Sequence, residues 1–223
     1  MPLTDTSLRD AYAAAVEQVA GRALDAVTGA GGPVALTDPT STAELAALRV
    51  LGPDLFAAQL LARAPLASVT TASLAAALLA FPPGQDAPVG QDDLVVAWLD
   101  HVAGFLAGRA GPQPGEVPDP EHWPRWSVRM AQLAPLALPG LDGPVHRAAR
   151  QQPLALARGA ARAMLRRDHR TALRLTRWLA WLDAPAPLEL PPLLDRLRLV
   201  GDDSRRTALE LTITESLLTE GRR

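Results

Sequence analysis

Apolar and polar positions along the chain repeat with a period close to 3.6 residues, which is typical of amphipathic helices. In segment 7–27 the apolar positions that follow this period are Leu8, Tyr12, Ala15, Val16, Val19, Ala23 and Val27. No long stretch alternates with a period of two, and β-branched residues are sparse. The pattern therefore predicts an all-α protein.

Proline and glycine divide the predicted helices into two groups. Residues 110–124 contain five prolines and two glycines, which predicts an extended connection. Trp123 and Trp126 close this stretch, and large aromatic side chains are costly to leave in water, so we expect its end to be anchored. The predicted organisation is an acidic helical N-terminal half (1–109), the proline-rich connection, and an arginine-rich helical C-terminal half (125–223).

Charge follows the same division. The net charge of the 223 residues is −2, and all 22 cationic residues are arginine. Residues 1–124 contain 5 arginines and 14 acidic residues, whereas residues 125–182 contain 11 arginines and 2 acidic residues. We attribute the choice of arginine over lysine first to GC-rich, bacterial coding. Even so, arginine makes bidentate contacts with carboxylates and phosphates that lysine does not make.

The densest run of arginines lies in segment 154–182. In a single helix, arginines at four-residue intervals would line one face, with Arg177 one turn beyond the last of them. These are Arg158, Arg162, Arg166, Arg170 and Arg174. Asp168 would then lie in the opposite, apolar face, where an unpaired carboxylate is unfavourable. We therefore predict a helix break, with Asp168 as the N-cap of a second helix.

Two interpretations of these arginines remain open. As an external surface they would contact an anionic partner such as a phosphate backbone, with Trp178 and Trp181 available to stack on bases. Alternatively, they pair with the acidic N-terminal half, and the two tryptophans belong to the core. The slightly negative net charge favours the second interpretation. If there is one binding surface, we predict that it consists of Arg158, Arg162, Arg166, Arg170, Arg174 and Arg177.

An internal repeat accompanies the arginine run. The sequence DHRTALRLT at 168–176 recurs as DSRRTALELT at 203–212, with Arg and Thr matches spaced by 36 residues. Similarly, TAELAAL at 42–48 returns as TASLAAA at 71–77. Over residues 153–219 the chain thus resembles an α-solenoid of the HEAT or armadillo type, in which an Asp and a basic residue often begin the inner helix of a pair. The predicted fold is an irregular multi-helix bundle or a short α-solenoid-like stack of helical pairs.

Motifs for catalysis or cofactor binding are not found in the sequence. There is no cysteine, no G-x-S-x-G and no glycine-rich phosphate loop, and no lysine to serve such a loop. The four histidines have no further ligand at a repeating i+3 or i+4 spacing. We therefore predict no catalytic residue, no metal site and no cofactor, although the sequence leaves an enzyme open.

A membrane span is not expected. The stretch 64–85 is uncharged, but Pro65 and Pro82 limit its continuous part to about 16 residues, fewer than the ~20 needed to cross a bilayer. A buried helix is the better interpretation. The first residues carry neither a basic leader nor an apolar core followed by a cleavage site, so we expect a cytoplasmic protein.

These observations predict a non-catalytic helical adaptor or scaffold that binds another macromolecule, most simply a protein. One alternative is a nucleic-acid-binding protein that uses the arginine face. Another is a helical-bundle enzyme or small-ligand binder with a pocket between the two halves. Assembly into a homo-oligomer is compatible with each.

Overall fold

The computed structural model describes residues 5–82, 93–109, 111–182 and 186–220. These residues form α-helices joined by loops and short 3-10 segments, and they contain no strand, which confirms the all-α prediction. The helices are α1 (Asp5–Val27), α2 (Thr42–Leu51), α3 (Ala57–Leu61), α4 (Ser68–Ala80), α5 (Asp93–Leu106), α6 (Trp123–Gln132), α7 (Pro144–Gln151), α8 (Pro153–Leu165), α9 (His169–Trp181), α10 (Leu190–Val200) and α11 (Arg205–Glu220). The 3-10 segments are Gly52–Phe56, Pro120–His122 and Ala134–Leu136.

The N-terminal helices are held to one another by a buried carboxylate as well as by apolar contacts. Helix α1 packs along α2, and α2 packs on α4. Ser41 caps α2, since its hydroxyl accepts from the Glu44 N–H at 3.2 Å. The Glu44 carboxylate then accepts from Arg22 on α1 and from the N–H groups of Thr37 and Asp38. Glu44 therefore fixes the loop before α2 against α1.

The predicted helix break at Asp168 is confirmed. Helix α8 ends at Leu165, the chain turns through Arg166 and Arg167, and Asp168 caps α9 by accepting from the Thr171 N–H at 3.1 Å. Arg167 adopts a φ of 59°, which reverses the chain direction. The two helices consequently pack against each other as a hairpin, and the four-residue arginine series does not continue along one straight face.

Helix α9 lies at the centre of the C-terminal half. It packs against α6, α8, α10 and α11, and its Trp178 is fully buried. The main hydrophobic cluster combines Leu48 and Phe56 of the N-terminal half with Trp126 and Trp178 of the C-terminal half. One core therefore draws on both predicted halves. Helix α11 also packs on α1, so the last helix touches the first.

The proline-rich connection contacts the helices on both sides of it. The indole N–H of Trp98 on α5 donates to the carbonyl oxygen of Glu116 at 2.7 Å. At its far end Trp126 is fully buried, while Trp123 is half-buried beneath Arg162. Residue 110 of the predicted connection lies outside the described residues.

Helix α4 accounts for the middle of the uncharged stretch 64–85, of which residues 83–85 lie outside the described part. Its inward face buries Thr70, Ser73, Leu74, Ala77 and Leu78. The helix is thus buried on one face rather than all round, and its outward face is also apolar, with Leu79 70% exposed. None of the described helices has the length and apolar character needed to cross a membrane.

The two copies of the 36-residue repeat form the first part of α9 and of α11, and these two helices pack against each other. Ser204 caps α11, since its hydroxyl accepts from the Thr207 N–H at 3.1 Å. Arg174 and Glu210 occupy equivalent positions of the repeat and meet across the helix pair. The resemblance to an α-solenoid stays a prediction.

Candidate functional site: an arginine-lined groove

The structure separates the six predicted arginines into an exposed and an engaged set. Arg158 is exposed on α8, Arg166 is exposed in the turn that follows α8, and Arg170 is more than one third exposed on α9. Arg162 is half-buried, with its guanidinium carbon 5.8 Å from the centre of the Trp123 ring. Because the hairpin turn intervenes, the exposed arginines lie on two antiparallel helices instead of one face.

Arg177 is buried and joins the two halves of the chain. Its side chain is 1% exposed, and its Nη2 donates to Asp54 Oδ1 at 2.7 Å. The same guanidinium donates to the carbonyl oxygens of Ala137 at 3.2 Å and Pro135 at 3.4 Å. Arg177 therefore lies outside any surface that a partner contacts, and pairs with the acidic half as the second interpretation expects.

Trp178 is buried in the interior of the protein, and Trp181 is partly buried beside it. The indole N–H of Trp178 donates to the Met130 carbonyl oxygen at 2.7 Å, and that of Trp181 donates to the Leu138 carbonyl oxygen at 3.2 Å. Both rings pack against the imidazole of His146, with centroids 5.5 and 4.9 Å away. Trp178 is thus core, and stacking of bases on it would require the core to open.

A groove with a volume of about 760 Å³ lies between the predicted halves. Its walls come from the C-terminal end of α2, the 3-10 segment Gly52–Phe56, the residues after α4, and helices α5, α6, α9 and α11. It is lined by five arginines and, among the described residues, by a single acidic residue, Asp100. The arginines are Arg49, Arg125, Arg129, Arg174 and Arg206.

One face of α6 forms the edge of this groove. Arg125, Val128, Arg129 and Gln132 line it at spacings of i, i+3, i+4 and i+7, which place side chains on one side of a helix. The opposite face of α6 buries Trp126, so the helix is held firmly while it presents this row. Arg125 is exposed and forms no hydrogen bond or ion pair within the described part of the chain.

A buried glutamate organises the arginines at the α9–α11 side of the groove. Glu210 Oε1 accepts from Arg174 Nη2 at 3.0 Å and Nε at 3.2 Å, and lies 3.9 Å from Arg206 Nε. The partly buried guanidinium of Arg170 is close by. Its pKa is lowered, first because burial disfavours the charge and then because Arg174 and Arg206 repel it. Glu210, and Asp202 for Arg170, partly offset the positive charge that Arg170, Arg174 and Arg206 bring to this side of the groove.

The opposite side of the groove has its charge neutralised and is largely apolar. Arg49 pairs with Asp100 on α5 and donates through Nε to the Phe81 carbonyl oxygen at 3.2 Å. Val50 and Val128 are 41% and 49% exposed, and both line the groove. Exposed apolar side chains in a concave site that also contains charged groups are typical of a surface that is covered when a ligand binds.

A second cavity, of about 680 Å³, lies beside Trp181 and contains Arg63 and Arg150. Arg150 is already engaged, since its guanidinium carbon lies 4.7 Å from the centre of the Trp181 ring and its Nη1 donates to Asp142 at 3.0 Å. This cavity is therefore lined by two arginines, against five in the groove, and one of the two, Arg150, already has a partner. No group of three or more His, Cys, Asp or Glu side chains in the described part of the chain is placed to hold a metal ion.

Sequence reasoning placed Arg174 in the candidate surface but missed the other four arginines of the groove. Arg125 and Arg129 were visible as an i, i+4 pair within the arginine-rich segment, which is the one local signal that pointed to them. Arg49 and Arg206 come from segments far away in the sequence, and only the packing of α2, α6, α9 and α11 brings them to the same groove.

Comparison of this chain with protein-family models, with curated proteins and with solved structures gives no match. The described residues form an all-α fold with a cationic, partly apolar groove that is lined by both predicted halves. Its function is therefore argued from the chemistry of that groove.

Proposed function

We propose that this is a non-catalytic binding protein whose partner or ligand is anionic and is held in the arginine-lined groove. The observation that carries the proposal is the imbalance of charge: five arginines and one aspartate line one groove of a protein whose net charge is −2. A fold that is slightly acidic overall but concentrates arginines in one concavity attracts anions to that place and not to its whole surface.

A binding role accounts for the side chains of the groove better than a catalytic one. Guanidinium groups stay protonated near neutral pH, so they serve as anchors and not as general acids or bases. Asp100, the one carboxylate among the described lining residues, is paired with Arg49. Exposed Val50 and Val128 add apolar area, which contributes to affinity on burial.

The test compares Arg125→Glu with Arg147→Glu, an equal change of charge at an exposed position of α7 outside the groove. The probes are a fluorescein-labelled deca-glutamate peptide, a labelled ten-nucleotide oligo-dT, and fluorescently labelled ADP, each titrated by anisotropy at 50 and 200 mM salt. We expect at least one probe to bind, with an affinity that falls as salt rises.

Reversing the charge at Arg125 changes the interaction with a bound anion by two unit charges. At separations of about 5–10 Å and an effective dielectric near 40, this amounts to roughly 2–3 kcal/mol, or at least a tenfold loss of affinity. The Arg147→Glu variant should bind within twofold of the unchanged protein. The proposal is wrong if no probe binds at 50 mM salt, or if both variants lose affinity equally.

A second candidate function is nucleic-acid binding through the α8–α9 hairpin. Its support is the exposure of Arg158 and Arg166, with Arg167 exposed at the turn between the helices. In this case the Arg158→Glu/Arg166→Glu double variant would lose affinity for the oligonucleotide, and Arg125→Glu would not. The full burial of Trp178 removes one base-stacking platform from this candidate.

A further inference from the structure

The spacing of the arginines and the apolar wall of the groove indicate which class of anion it binds. This inference rests on the proposed anion-binding function. The first relevant feature is the distance between arginines on the α9–α11 side. Arg174 Nη2 and Arg206 Nε lie 3.0 and 3.9 Å from the same Glu210 oxygen, so these two nitrogens are within about 7 Å of each other. One group with several acceptor oxygens can therefore bridge the two guanidiniums.

A phosphate fits this spacing better than a carboxylate does. A carboxylate offers two oxygens in one plane, and a single bidentate guanidinium occupies both of them. A phosphate offers three oxygens in a tetrahedral arrangement and more negative charge, so it accepts from two or more guanidiniums approaching from different helices. Arg174 and Arg206 come from α9 and α11, and Arg129 lines the same groove from α6.

The balance of charge on this side also favours a ligand with more than one negative charge. Arg170, Arg174 and Arg206 surround Glu210, and mutual repulsion together with partial burial lowers the pKa of Arg170. An added anion would relieve that repulsion. Glu210 is shared by Arg174 and Arg206, and Asp202 also acts on Arg170, so two carboxylates oppose the charge of three arginines on this side.

The apolar wall shows that an inorganic anion alone would not fill the groove. Val50 and Val128 remain 41% and 49% exposed, and Leu99 and Phe81 also line the cavity. These side chains offer a surface for the organic part of a ligand. The volume of about 760 Å³ falls in the range of pockets for small molecules, about 300–1,000 Å³.

From these features we propose that the groove binds a small organic phosphate: a molecule with two or more phosphate charges, gripped by Arg125, Arg174 and Arg206, and an apolar or aromatic body packed on Val50 and Val128. An acidic protein segment and a nucleic-acid strand are the competing occupants, and the experiment distinguishes them.

The experiment measures binding by calorimetry to the full chain at 50 mM salt, with ADP, pyrophosphate and citrate as probes. Citrate is the matched carboxylate control, because its charge at pH 7.5 is close to that of the two phosphate probes. We expect pyrophosphate to bind at least tenfold more tightly than citrate, and ADP more tightly than pyrophosphate, since only ADP covers the apolar wall.

Two variants separate the contributions of charge and apolar contact. Arg206→Gln should weaken ADP and pyrophosphate alike, by about tenfold. Val128→Asn should weaken ADP by about three- to tenfold and pyrophosphate by a smaller factor, because the half-exposed valine contacts only the organic body. Both side chains are partly exposed, so both variants are expected to keep the fold, which circular dichroism checks.

Failure of this inference is distinguishable from failure of the proposed function. If citrate or the deca-glutamate peptide binds as tightly as ADP and is lost in Arg125→Glu, the anion-binding function stands and the organic-phosphate class is wrong. The class is equally wrong if oligo-dT binds far more tightly than ADP. If none of these probes binds, both proposals are wrong.

Discussion

Replacing Asp54 by Ala should lower the free energy of unfolding by about 3–5 kcal/mol, because it leaves the guanidinium of Arg177 buried without its counter-ion. The pair joins the 3-10 segment Gly52–Phe56 to α9 across 123 positions of sequence. Both side chains are almost completely buried, at 1% and 6% exposure. Stabilities of single domains are typically about 5–15 kcal/mol, so the loss is a large part of the total.

The magnitude follows from two opposing effects. At 2.7 Å and an effective dielectric of about 20, the attraction is roughly 6 kcal/mol, and desolvation of the two ions costs several kcal/mol each. The intact pair is therefore close to neutral for stability. Removal of one partner is costly, because the carbonyl oxygens of Ala137 and Pro135 accept from Arg177 but do not neutralise it.

The assay is urea unfolding followed by tryptophan fluorescence, and Trp178 follows Arg177 directly in α9. The control is Asp195→Ala, which removes one partner of Arg198 from a pair whose side chains are 55% and 72% exposed, and should cost less than about 1 kcal/mol. If Asp54→Ala proves too unstable to purify, Asp54→Leu/Arg177→Met should recover much of the stability. A loss below about 1 kcal/mol for Asp54→Ala would mean that Arg177 does not depend on Asp54 as its buried counter-ion.

Three further predictions concern packing and pH. Gly159→Ala should lower the free energy of unfolding by about 1–3 kcal/mol, because the added Cβ would lie 2.6 Å from Ser127 Cβ. Gly21→Ala should raise it by up to about 1 kcal/mol, because the nearest atom to the added Cβ is 3.9 Å away. Burial lowers the pKa of His146, so stability should decrease as the pH falls below about 6.5. Burial opposes ionisation of Glu44, but its hydrogen bonds lower its pKa to about 2, so the stability that it contributes should be lost between pH 4.5 and 2.

Each of these predictions has its own check. Thermal unfolding of the two glycine variants should shift in opposite directions, and a stabilised Gly159→Ala would contradict the close approach of α8 to α6. For His146, the free energy of unfolding should be lower at pH 5 than at pH 7.5, and this difference should be much smaller in His146→Gln. If the difference is the same in the variant, another group causes it. For Glu44, the Glu44→Gln variant should be less stable than the unchanged protein at pH 7 and converge with it near pH 2.

The sequence was sufficient to predict the local structure around Asp168. An aspartate in the middle of an apolar face is unfavourable inside a continuous helix, and that single conflict predicted the break and the cap that the structure contains. Helix periodicity and the absence of long alternating patterns likewise predicted the all-α class. These features depend on residues that are close in sequence, so the spacing of apolar and polar residues is enough to predict them.

The groove and the burial of Arg177 could not be predicted in the same way. Arg174 and Arg177 are three residues apart and look alike in the pattern, yet one lines the groove and the other is buried against Asp54. The difference arises because the 3-10 segment Ala134–Leu136 packs on α9 and Asp54 of the segment Gly52–Phe56 pairs with Arg177. Contacts over such separations leave no periodic signal in a single sequence.

The central claim, that the groove is where anions bind, is tested most directly by side-chain NMR of the arginines during titration with pyrophosphate. The Nε–Hε signals are assigned from single Arg→Gln variants. We expect saturable shifts for Arg125, Arg174 and Arg206, with the signals of Arg158 and Arg166 unchanged. Shifts confined to Arg158 and Arg166, or no shifts at concentrations where calorimetry detects binding, would contradict it.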